Sequence, residues 1–156
     1  MHLRVAAIGE RPPDWVAAGV DSYAQRLPRD WQFRVDALPA AKRSRAAPAS
    51  RARDDESNRL LAATRRGDRV VLLDERGGQR SSADLAARLA DWQGGGRDVV
   101  FLIGGPDGVS DACHERADEC WSLSMLTLPH GLARILLVEQ LYRAWSLLNN
   151  HPYHRE

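Results

Sequence analysis

Two short runs in the middle of the chain, Val70-Val71-Leu72-Leu73 and Val99-Val100-Phe101-Leu102-Ile103, are apolar without interruption. A strand with one face in water alternates apolar and polar residues, so a run that never alternates must be covered on both faces. Runs this short also favour strand over buried helix. Doubly covered strands belong to parallel sheets, because the helices that connect parallel strands are what pack onto the two faces. The second run empties at once into Gly104-Gly105-Pro106-Asp107-Gly108. Ligands of open α/β sheets bind beyond the carboxyl ends of the strands. The two runs therefore predict both the fold class, α/β with a mainly parallel sheet and flanking helices, and the edge on which a ligand site would lie.

The rest of the chain reads in the same terms. Residues 3–9 form a short apolar strand closed by Gly9, and Pro12-Pro13-Asp14 opens a helix that ends before Pro28. Residues 31–38 alternate, with Trp31, Phe33, Val35 and Ala37 on one face, which predicts a second strand. Residues 40–53 hold five cations and no acid and are expected as a mobile loop entering a helix that runs to residue 66 and stops at Gly67. A strand over 69–74 leads to a turn at Gly77-Gly78, then a helix from Ser81 or Ser82 to Trp92, broken by Gly94-Gly95-Gly96. A helix over 111–119 follows the 98–103 strand. Residues 123–128 are a fifth strand or an extended loop, and a last helix covers 131–148. That helix is apolar around much of its girth, so it is expected to be buried on two sides, one its own sheet and the other a second subunit.

The length of 156 residues suggests one domain, here 1–156. A net charge of +1 gives no global attraction to nucleic acid, so any contact must come from local patches. The opening apolar run is too short for a secretory signal, and no stretch approaches the roughly 20 apolar residues that span a bilayer. Cys113 and Cys120 are about 10 Å apart along a helix and lack metal-ligand spacing. Two free thiols fit a reducing, cytoplasmic setting.

Four segments carry possible chemistry. Residues 103–108 form a strand-to-helix turn whose glycines permit close ligand approach, but it is neither a Walker loop nor a G-x-G-x-x-G fingerprint. Residues 121–130 alternate Ser and Thr with Leu and Met, a pattern that suits either a plain strand or a backbone edge reading adenine. The tail, residues 149–156, gathers two histidines, a tyrosine and an arginine. Tyrosine stacks on bases and arginine holds phosphate. The basic stretch offers Lys42, Arg43 and Arg45 as RNA phosphate contacts, or is simply a solvated loop. Glu139 and Arg143 are spaced as a helical ion pair, and His130 and Arg134 lie at the same helix's start, near the expected ligand turn.

Taken in order, Leu102-Ile103-Gly104-Gly105-Pro106-Asp107-Gly108, Trp121-Ser122-Leu123-Ser124, Thr127-Leu128-Pro129-His130, Glu139-Gln140-Leu141-Tyr142-Arg143-Ala144-Trp145 and His151-Pro152-Tyr153-His154-Arg155-Glu156 resemble the large-subunit ribosomal RNA pseudouridine N3-methyltransferases. These belong to the SPOUT, or α/β-knot, superfamily. Ala7-Ile8-Gly9 and Pro13-Asp14-Trp15-Val16 extend the likeness to nearly the whole chain. The resemblance implies a C-terminal trefoil knot, an exception to the rule against threaded chains. It implies an S-adenosylmethionine pocket built from Leu73, Gly104, Gly105, Leu123, Ser124, Met125, Leu126, Thr127 and Leu128. It also implies a homodimer, and as substrate a pseudouridine of large-subunit (23S) RNA, methylated at N3 on the assembled ribosome.

For such a reaction N3 must lose its proton, so the protein must align the reactants and assist deprotonation; no metal is required. The candidates are Glu139, Tyr153, His154 and Arg155. Arg155 would stabilise charge on the deprotonated ring, Tyr153 would stack or hydrogen-bond, and His154 or Glu139 would accept the proton. Arg134 and Arg143 join the basic loop as candidate RNA contacts. Two rivals are a ribosome-binding protein without catalysis and a nucleotide-binding enzyme using residues 104–108. The second lacks a lysine or hydroxyl residue directly after its glycines.

Overall fold

A computed structural model describes residues 1–155. In chain order the strands are β1 (Leu3–Ile8), β2 (Arg34–Leu38), β3 (Arg69–Gln79), β4 (Val99–Ile103) and β5 (Glu119–Ser122). The helices are α1 (Asp14–Ala24), α2 (Ala49–Ala62), α3 (Ser82–Gly95), α4 (Asp111–Arg116) and α5 (His130–Leu148), with 3-10 turns at Arg29–Trp31 and Pro152–Arg155. The sheet has the order β2-β1-β4-β3-β5 and every pairing is parallel, as the uninterrupted apolar runs require. All of β4, the central strand, and of its neighbour β1 is buried.

Alternate strand residues feed two cores. Val5, Val71, Phe101 and Trp121 point to the layer of α1, α3 and α5, where Phe101, Trp92 and Trp121 pack ring against ring. Ala6, Leu72, Val100 and Leu102 point to the thinner layer of α2 and α4, with Leu60 and Cys113. Three helices, α1, α2 and α5, are entered through Pro13, Pro48 and Pro129. The fixed φ of proline sets the chain direction there without a side-chain cap. By contrast, α3 starts with a reciprocal capping box between Ser81 and Asp84 and ends on Gly96 in the left-handed region.

Several boundaries differ from the sequence expectation, each for a local reason. Trp31 closes a 3-10 turn and Gln32 turns left-handed (φ 45°), so β2 begins only at Arg34, although Trp31 still reaches the main core. Gly77-Gly78 is no turn. Leu73 and Gly78 both pair with Trp121, so residues 74–77 bulge out and β3 resumes to Gln79. A Cβ on Gly77 would lie 2.6 Å from the Trp121 backbone, which is why only glycine closes that bulge. The helix expected to end at Gly67 is α2, which ends at Ala62, before the turn that leads into β3. The fifth strand is Glu119–Ser122, shortening α4, and residues 123–128 take the loop alternative. There Ser122 Oγ donates to the Ser124 carbonyl (2.8 Å) and Ser124 Oγ accepts from Leu126 N–H (2.9 Å), local bonds that compete with a ladder.

Candidate active site

Because all five strands run the same way, the segments following Ile8, Leu38, Leu73, Ile103 and Ser122 emerge on one edge. Leu73 pairs with Ile103 on one side and Trp121 on the other, so it sits between the Gly104 turn and the loop after β5. Two strand spacings separate those segments, about 10 Å. Leu73, Gly104, Gly105 and the residues from Leu123 to Leu128 are thus brought to one edge. Met125 and Leu126 stand in solvent, 90% and 73% exposed, while Leu123, Ser124 and Leu128 are half-buried. Large apolar side chains this open, beside exposed backbone of a glycine turn, offer a ring-packing surface and a hydrogen-bonding edge together.

The glycine turn is supported from beneath. Gly108 N–H donates to Gly105 O (3.1 Å) and Gly108 has φ 75°. A Cβ on Gly104 would come 2.7 Å from Val109 Cγ1, and one on Gly105 2.5 Å from Glu56 Oε1. Glu56 is 1% exposed and accepts from the Ala41 N–H (3.1 Å) and from Arg43. Arg43 also bonds Asp107 within the turn. Sequence reasoning missed Glu56; its signal was a carboxylate on the stripe Ala52, Glu56, Leu60 that α2 buries.

The candidate RNA contacts divide. Lys42 and Arg45 are exposed, and Lys42 lines an open recess of about 720 Å³ with Pro39, Arg43, Arg51, Arg59 and Asp107. Arg134 is 3% exposed, and its Nη2 donates to the carbonyls of Ile8 (2.7 Å) and Gly9 (2.9 Å). It latches α5 to the carboxyl end of β1. Burial alone pulls its guanidinium below the ordinary arginine range. Arg143 likewise folds onto Glu139 Oε1 through Nε (2.9 Å) and Nη2 (2.8 Å).

The tail turns back through Asn150 (φ 51°) and lies on α5. Tyr153 OH donates to Glu139 Oε1 (2.9 Å), its ring rests 4.6 Å from that of Tyr142, and Arg143 lies over it at 4.9 Å. Gln140 donates to the other Glu139 oxygen (2.7 Å). Burial first, then hydrogen bonding with Tyr23 and Glu139, pushes the Tyr153 phenol well above its usual range, so it is a neutral donor. His154 has a buried Nδ1 without a partner, and Arg155 is exposed. Glu156, the last residue of the tail motif, lies outside the described residues.

Glu139 is nine residues into α5, about 13 Å along the axis from the helix start. One chain therefore assembles two groups, a cofactor-type edge and a polar tail cluster, and does not bring them together. Among the described residues there is no cluster of metal-ligating side chains, and no helix long and apolar enough to cross a membrane.

Known proteins resemble this chain along its whole length. Residues 1–154 match the family described as "Predicted SPOUT methyltransferase". A protein of Thioalkalivibrio sulfidiphilus named ribosomal RNA large subunit methyltransferase H is 49% identical over 156 residues, all of both chains. Its namesake in Methylococcus capsulatus is 49% identical over 155 residues, 99% of this chain and 100% of its own. The one in Chromohalobacter salexigens is 50% identical over 155 residues, with the same coverage. The parallel sheet with its glycine turn, joined to a match spanning nearly every residue, places the chain in the SPOUT methyltransferase family.

Proposed function

We propose that this chain methylates N3 of a pseudouridine in large-subunit ribosomal RNA, using S-adenosylmethionine, as a single-domain, knotted homodimer acting on the assembled ribosome in the cytoplasm. The observation that carries the reading is the match over both full lengths to relatives named ribosomal RNA large subunit methyltransferase H. The carboxyl edge supports it. Leu73, Met125 and Leu126 give apolar surface for an adenosyl group, and Gly104 and Gly105 leave the turn's backbone open to it.

The sulfonium donor supplies an activated methyl carbon, so the chain's own residues must align the base and manage one proton. Tyr153 stays protonated and acts as stacking surface and hydrogen-bond donor. Glu139 has its oxygens taken by Arg143, Tyr153 and Gln140, and serves to fix the tail. His154 is the proton acceptor, and Arg155 offsets charge on the deprotonated ring. RNA phosphates meet Lys42 and Arg45. Since the tail lies well down α5, it completes the edge of a second copy, docked through the open side of α5 at Leu132 and Leu136.

Two measurements test this. Calorimetry with S-adenosylmethionine must give saturable binding, and mass mapping of ribosomal RNA from cells lacking the protein must show one methyl group missing from a large-subunit pseudouridine. Absence of both would leave the rival of a non-catalytic ribosome-binding protein. For the dimer, a variant with a disabled edge mixed with one lacking the tail should regain activity.

A further inference from the structure

The glycine turn is held at two points by one arginine and one buried carboxylate. Glu56 lies under the turn, where a Cβ on Gly105 would meet its Oε1 at 2.5 Å, so the Gly105 backbone rests directly on the carboxylate. A carboxylate at 1% exposure is costly unless it is fully paired. It is paired with Ala41 N–H through Oε2 (3.1 Å) and with both terminal nitrogens of Arg43 (3.2 and 2.9 Å). The remaining donor of the same guanidinium, Nε, bonds Asp107 Oδ2 at 2.9 Å, and Nη2 lies 2.9 Å from that oxygen. One planar fork thus spans a carboxylate beneath the turn and a carboxylate in it, a geometry that a lysine ammonium cannot reproduce.

We infer that Arg43 and Glu56 are positioning residues for the turn at residues 104–108, and that Arg43 serves methyl-donor binding and not RNA phosphate. The inference rests on the cofactor reading above. It divides the basic loop by role. Arg43, although its side chain is 37% exposed, is tied to Glu56 and Asp107, whereas Lys42, Arg45 and Arg51 are exposed and, among the described residues, have side chains in no ion pair. These three are left for phosphates, since Arg53, the fifth cation of the stretch, pairs with Asp54.

The test measures two quantities in Arg43→Ala, Arg43→Lys, Asp107→Asn and Lys42→Ala: the Kd and KM for S-adenosylmethionine, and the salt dependence of binding to large ribosomal subunits. Asp107→Asn weakens the outer half of the fork by removing the carboxylate's charge, without removing a cation and without uncovering Glu56, so it stays informative if Arg43→Ala unfolds. Arg43→Ala and Asp107→Asn should raise Kd and KM for the donor about tenfold, with kcat nearly unchanged and the salt slope of RNA binding intact. Arg43→Lys should fall between these and wild type. Lys42→Ala should do the reverse, lowering the salt slope by about one with donor affinity unchanged. Wild-type donor affinity in Asp107→Asn, or a slope reduced by about one in Arg43→Ala, would overturn the assignment. Wild-type protein that takes up no donor at all would remove this inference together with the proposed function, and so is distinguishable from its own failure.

Discussion

Replacing Arg134 by methionine keeps the aliphatic stem inside the fold and deletes only the guanidinium. That group donates to two main-chain carbonyls, Ile8 O at 2.7 Å and Gly9 O at 2.9 Å, from a side chain almost wholly out of solvent. Hydrogen bonds to a charged donor contribute about 1.5–3 kcal/mol each, so the gross loss is roughly 3–6 kcal/mol. Two terms reduce it. Burying the guanidinium is itself unfavourable, which is the direction in which its pKa moves, and its Nε has no partner. The net loss should be about 2–4 kcal/mol, which for a domain of this size lowers Tm by roughly 6–12 °C. The assay is chemical and thermal unfolding at one fixed protein concentration, because association with a second copy would otherwise shift the midpoint. RNA affinity of the folded variant should keep its salt slope. A variant as stable as wild type, but with a slope reduced by about one, would show Arg134 to be a phosphate contact and refute the latch.

Three further outcomes follow from the same geometry. Changing Tyr153, His154 and Arg155 together to alanine should leave donor affinity near normal and nearly abolish methyl transfer, as read by calorimetry and a radiolabel assay; normal turnover removes the tail from the mechanism. Gly105→Ala pushes a Cβ to 2.5 Å from a pinned carboxylate oxygen. It should cost about 1–3 kcal/mol by denaturant titration, and less when Glu56 is also replaced by alanine. Burial holds the Cys113 thiol above its usual range, so the unfolded chain loses that proton at lower pH than the native one. Stability should therefore fall as pH rises beyond about 8.5, and Cys113→Ala should flatten that decline in alkaline unfolding curves.

The parts legible from sequence were those governed by local pattern. Uninterrupted apolar runs at residues 70–73 and 99–103 meant a doubly covered parallel sheet, because no other arrangement satisfies both faces. The glycine turn and the loop after β5 could be placed on one edge for the same reason. What could not be read depended on partners far along the chain. Gly77-Gly78 has the composition of a turn, yet Trp121 takes it back into the sheet. Arg134 and Arg43 look like surface cations until the carbonyls of β1 and the carboxylate of Glu56 are in place. Trp31 alternates correctly with Phe33 and Val35 but reaches the core from a 3-10 turn, since burial of the side chain does not require an extended backbone.

The placement of the tail bears on why a second copy belongs in the proposal. Arg134 ties the first turns of α5 to the carboxyl end of β1, and the last turn reaches a recess with Pro28 and Trp31, near the end of α1. The helix therefore runs the length of the sheet, and the chain can return to its own carboxyl edge only by folding back along it. It does fold back, but Tyr153 is captured midway, by Glu139, Arg143 and the Tyr142 ring. A group stopped about 13 Å short of the edge cannot touch a base presented there, since reacting atoms must come within about 3–3.5 Å. Releasing the tail would sacrifice the Tyr153–Glu139 bond and the ring contacts, with nothing in the chain to replace them. A neighbouring subunit would resolve the conflict without that loss, because the face of α5 that exposes Leu132 and Leu136 continues at helical spacing to the half-buried Glu139 and Arg143. A partner seated on this stripe would meet the tail cluster with whatever part of its own surface it docks, and the carboxyl edge is the part that lacks one.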